Sequence, residues 1–145
     1  MNDPLSCRVR SAPRVREPDD AENGVRFQTK GQREAEIASA VVNYRRAHHG
    51  RGPDHARAFL LDDMVLIRQC GTLTPAENSL AHSADGWDLI TQMHRKLTEI
   101  NKLELTSVIE QLTGHRVTEY FSDTSRAGDC IDLFVLERPW NASPC

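Results

Sequence analysis

The segment "WDLITQMHRKLTEINKLELTSVIEQL" constrains the fold more than any other part of the chain. Ile90, Met93, Leu97, Ile100, Leu105, Val108 and Leu112 recur at helical spacing from Trp87 to about Leu112, and Gly114 supplies a stop. At ~1.5 Å per residue this helix spans on the order of 40 Å. A six-residue strand spans only ~20 Å. The helix therefore overhangs any sheet it packs on, bends near Asn101, or rests on a second subunit.

The elements around it are shorter. "GQREAEIASAVVNYRRAHHG" places Ile37, Val41, Tyr44 and His48 on one helical face, and Gly50 ends the helix. Two β-rich runs, Arg57 to Leu61 and Met64 to Cys70, flank Asp62-Asp63, which reads as a tight hairpin. In "LTPAENSLA", Thr74 is an N-cap, Pro75 the first helical residue and Glu77 the far half of a capping box. Asp85 or Gly86 opens the long helix. "HRVTEYFSD" and "CIDLFVLERP" close the chain as two strands joined by "SDTSRAGD".

The order is α-β-β-(short α)-α-β-β. It predicts an α+β fold: a four-stranded antiparallel sheet with both main helices on one face, a circular permutation of the ferredoxin-like pattern. The Met64–Cys70 and Cys130–Glu137 strands are then antiparallel neighbours, with Cys70 and Cys130 at the same sheet end. If Val65 and Ile67 face the helices, Met64 and Leu66 face outward. A matching set from the last strand joins them, either Ile131, Leu133 and Val135 or Phe134 and Leu136. An apolar outer face of that size calls for cover, so a homodimer or another protein partner is expected.

Residues 1–27 carry five Arg against five acids, with no periodicity, and read as a disordered tail. The folded domain is expected over 28–138, and 139–145 reads as a short tail with little to hold it. A net charge of -3 supplies no basic field for nucleic acid. No run approaches the ~18 apolar residues of a membrane span, so direct membrane insertion is not expected. "PLSC" around Cys7 lacks the apolar stretch of a secretion signal, which makes the cytoplasm the expected compartment. Cys7 and Cys145 fall in the tails; Cys70 and Cys130 read as reduced thiols at strand ends.

Candidate chemistry concentrates in "HHGRGPDHARAF". His48 and His49 are adjacent on a helix and point ~100° apart, so they do not converge on one ion, and no metal site is assigned. Arg45, Arg46, His48 and His49 suit the negative end of a helix dipole. Gly50, Gly52 and Pro53 make the reversal that follows. Arg51, Gly52, His55 and Arg57 form a candidate anion seat, although the stretch is neither a Walker A nor a G-x-G-x-x-G pattern. Asp123, Asp129 and Asp132 cluster at the second hairpin and read as a solvated loop. No nucleophile stands in a recognisable elbow or beside a base, so no catalytic residue, cofactor or enzymatic activity is assigned.

Taken in order, "GRGPDHARAFLLDDMVLI", "GTLTPAE", "LTGHRV" and "FSDT" resemble the MpsC-like family. That family is named for the third component of a Na+-translocating membrane-potential-generating system. The resemblance runs collinearly from about Thr29 to Glu137 and includes "GQREAEIASAVV". It implies association with a membrane system for cation movement linked to inorganic carbon uptake. A domain without a span would serve there as an accessory or regulatory subunit, with an integral membrane transporter component as a partner. The alternative is a small-anion or small-molecule sensor built on the Arg51–Arg57 stretch.

Overall fold

The computed structural model describes residues 28–143. The elements are α1 (Lys30–His49), β1 (His55–Leu61), β2 (Met64–Cys70), α2 (Pro75–Leu80), α3 (Ala84–Thr113), β3 (Val117–Thr124) and β4 (Cys130–Leu136). The four strands form one antiparallel sheet in the order β1-β2-β4-β3. This is the expected α+β architecture. β2 and β4 are neighbours, and Gln69 stands opposite Cys130, which brings Cys70 and Cys130 to the same sheet end.

Local signals set the helix limits. Thr74 accepts from the Glu77 amide while Glu77 caps the Thr74 amide, the expected box, and Thr29 with Gln32 forms another at the start of α1. Gly50 and Gly114 take left-handed backbone at φ 74° and 73° and end α1 and α3. α3 starts one turn earlier than its apolar pattern indicates, because the Ser83 hydroxyl accepts from the Gly86 amide. The Asp62-Asp63 hairpin is present, with Asp62 at φ 53°.

The core lies between the sheet and the two long helices. Ile37, Val41 and Tyr44 of α1 meet Leu105 and Ile109 of α3 over Val65, Ile67, Phe134 and Leu136. β1 begins at His55 rather than Arg57, paired with Cys70. Trp140 packs against the core and donates its amide to the Asp62 carbonyl at 2.9 Å, so the first residue after Pro139 is held in place, where the sequence reads as a loose tail. Residues 1–27, with Cys7, and Cys145 lie outside the described residues. Cys130 is a free buried thiol. Cys70 is disulfide-bonded, which corrects its reading as a reduced thiol: distance along the chain does not tell which cysteines folding brings together.

α3 runs unbroken for 30 residues and resolves the length mismatch by overhanging. Its last third is held by Leu105, Ile109 and Thr113 against the sheet, and its first third by Gly86 and Ile90. From Thr91 to Glu104 no residue is buried. α3 is a beam supported at both ends.

Candidate functional site

Three features separate this molecule from a plain packed domain. The first is the outer face of the sheet. Strand alternation puts Val65, Ile67, Phe134 and Leu136 inward, so Met64, Leu66, Ile131, Leu133 and Val135 face outward, which decides between the two sets expected for β4. Across the strands Phe59, Leu66, Leu133 and Phe121 stand in one register row. Phe121 is 56% and Ile131 47% exposed.

The second is the outer side of α3. Its apolar pattern splits in two. Ile90, Leu105 and Ile109 are buried, while Leu89, Met93, Ile100 and Leu103 are exposed, the last two at 67% and 85%. Met93 and Ile100 were expected in the core stripe. They instead stand with Leu89 and Leu103 at intervals of four, seven and three residues, the spacing of one narrow helix-packing seam. A periodic pattern marks a helix and a face, but a helix as broad in apolar content as α3 carries two faces.

The third is a cleft of 1090 Å³ beneath the unburied middle of α3, floored by the ends of β3 and β4 and closed by α1 and α2. At its base the Arg45 guanidinium donates to Asp132 at 2.7 Å. Asp132 is fully buried and also accepts from Tyr120 at 2.7 Å and Gln69 at 2.5 Å. Asp132 therefore belongs to the core rather than to a solvated loop: inward alternation with Phe134 carries it under α1. Burial weighs against the charge on Arg45, but Asp132 and the Cys130 sulfur outweigh it and hold the guanidinium protonated. Burial and Asp132 together push the Tyr120 phenol well above its ordinary value, so it stays a donor. Burial, with Asp132 beside it, likewise raises the Cys130 thiol.

At the cleft mouth His94 of α3 meets Glu77 of α2 at 2.7 Å. Burial raises the Glu77 carboxyl, but hydrogen bonds from Thr74 and His94 overcome that and leave it below its ordinary value. Burial, then the charge on Arg45, lowers His49, which keeps the imidazole neutral. Arg45 and Asp132 pair at the base of the cleft, and Glu77 and His94 meet at its mouth.

The residues of the expected anion seat have engagements of their own. Arg51 lines the cleft, pairs with Asp54 at 2.8 Å and donates to the Leu73 carbonyl at 3.3 Å. Gly52 fits against α1, where an added Cβ would lie 3.4 Å from a Val42 methyl. His55 is exposed at the start of β1, and Arg57 lies over the Phe59 ring, 4.9 Å from its centroid. Among the described residues no cluster of three or more His, Cys, Asp or Glu is placed to hold a metal. No described helix is long and apolar enough to cross a membrane.

Sequence reasoning missed Arg45, Tyr120 and Gln69 as members of one network. The available signal was Asp132 itself, a carboxylate at an inward position of "CIDLFVL", which requires a buried cation or several donors.

The family described as "Na+-translocating membrane potential-generating system (MpsC)" matches residues 29–138. The uncharacterized protein YbcI of Bacillus subtilis (strain 168) is 31% identical over 109 residues, covering 74% of this chain and 88% of that protein. No solved structure matches.

Proposed function

The chain belongs to the MpsC family, and we propose that it acts as an accessory or regulatory subunit of a Na+-translocating, membrane-potential-generating system. It works through protein contacts rather than through a reaction of its own. The observation that carries this reading is the exposed seam Leu89, Met93, Ile100 and Leu103 on α3. An apolar seam at three-and-four spacing fits the side of another helix, as in helix-in-groove recognition. The occupant is a helix of an integral membrane component. The mounting of α3 supports the assignment, since its ends are packed into the domain while Ile100 and Leu103 of its middle face outward.

Substituting Ile100→Glu and Leu103→Glu together tests the reading. Both side chains are already exposed, so the fold survives. In membrane fractions of the native host the tagged chain is expected to sediment with the membranes, and the double variant to move to the supernatant. Equal distribution of the two proteins would contradict the assignment.

A further inference from the structure

We infer that Cys70 is bonded to Cys7, and that this bond straps the segment before α1 across the outer face of β1 and β2 until a dithiol releases it. The chain has four cysteines. Cys70 is disulfide-bonded and Cys130 is a free thiol, which leaves Cys7 and Cys145 as partners. Cys145 does not reach. Trp140 is held to Asp62 at the opposite end of the sheet, and the Ala142 amide donates back to the Pro139 carbonyl at 2.9 Å. Three residues then remain, spanning ~10 Å, and a disulfide joins Cα atoms at most ~7 Å apart. β2 alone is ~20 Å long. Cys7 has no such limit, because the chain from it to Thr29 extends to ~70 Å.

The two ends of that segment fix its course. Cys70 shares its parity on β2 with Met64 and Leu66, so its side chain belongs to the outer face. It stands opposite His55, at the end of the sheet away from the Asp62-Asp63 turn. The start of α1 lies at the other end, because Glu34 in its second turn accepts from the Leu60 amide at 2.9 Å. A chain joining these points from the outer side passes along β1 and β2, over Leu66, Phe59 and Met64. Its sequence suits that course. Residues 1–27 have no overall periodicity, but Arg8, Arg10, Arg14 and Arg16 alternate with Val9 and Val15. Both valines share parity with Cys7. An extended chain bonded through Cys7 therefore turns them toward the apolar strip and all four arginines toward water.

Cys70 is only 6% exposed, so an incoming thiolate meets the Cys7 sulfur, and Cys70 leaves as a thiolate and takes up a proton. The second thiol of the dithiol then displaces Cys7, which leaves with the other proton. Two electrons and two protons pass to the chain, and the dithiol ends as its own disulfide. The strap is then free at its far end.

Cys70, Met64, Leu66 and Phe59 neither line the cleft nor belong to the α3 seam, so the inference and the proposed function fail separately. Peptide mapping of the full chain, purified without reductant and blocked with iodoacetamide, tests the bond. Trypsin is expected to yield peptide 1–8 joined to peptide 69–95, and a dithiol to separate them. Cys70 joined to the Cys145 peptide, or recovered alkylated, would overturn the inference. Limited trypsin cleavage of the folded chain tests the strap. Cuts after Arg14 and Arg16 are expected at least tenfold slower in the oxidised wild type than in the reduced protein. Cys7→Ala removes the bond without disturbing the buried Cys70, and is cut at the fast rate with or without dithiol. Equal rates in oxidised wild type, reduced wild type and Cys7→Ala would overturn the strap.

Discussion

Arg45 of α1 and Asp132 of β4 are 87 residues apart in sequence and 2.7 Å apart in the fold. The acid is wholly removed from water, and the base is nearly so at 15% side-chain exposure. A buried pair of this kind adds little net stability over apolar packing, but removing one partner strands the other. Asp132→Ala is therefore expected to cost about 3–5 kcal/mol, because it leaves Arg45 buried and deprives Tyr120 and Gln69 of their acceptor. The Arg45→Met/Asp132→Leu double variant should recover the share due to the stranded guanidinium, but not the share due to Tyr120 and Gln69, which still lack an acceptor. Urea unfolding of the three proteins checks it; equal losses in single and double variants would mean the pair is not coupled.

The Glu77–His94 contact predicts an acid limb in the stability profile. The Glu77 carboxyl sits below its ordinary 4.5 in the folded chain, so the unfolded chain takes up the proton first as pH falls. The contribution is complete above pH 4.5 and drains away as the pH drops through the lower, folded value. Glu77→Gln should flatten the profile in that window while lowering stability at neutral pH. Unfolding curves between pH 3 and 7 would reveal it, and parallel profiles would refute it.

Gly86 lies inside a helix yet is buried, and a Cβ there would run into the Leu80 carbonyl at the end of α2. Alanine is the better helix former by about 1 kcal/mol. Overpacking against backbone, which cannot swing away, costs about 1–3 kcal/mol. Gly86→Ala should therefore destabilise on balance and loosen the His94–Glu77 contact. A raised melting temperature would show that α2 yields at this point.

What was legible in the sequence was local. Thr74, Pro75 and Glu77, the stops at Gly50 and Gly114, and the Asp62-Asp63 turn lie within a few residues of the groups they satisfy. Strand alternation also gave the outer sheet face, once one residue per strand was oriented. The rest depended on long-range placement. Asp132 reads as a loop acid until β4 is paired with β2 and laid under α1. Met93 and Ile100 read as core because a helical period fixes angles around an axis without saying which angle meets the sheet. That Arg57 of the candidate anion seat lies over the Phe59 ring two residues along β1 is likewise set by strand alternation and not by composition.

The most direct test of the accessory-subunit account is site-specific photo-crosslinking in the native host, with the crosslinker at position 103 and, as control, at the exposed Asn43 of α1. The account predicts an adduct between position 103 and an integral membrane protein, absent from position 43 and lost when Ile100 is Glu. Adducts at position 103 made only with further copies of this chain, or none at all, would contradict it.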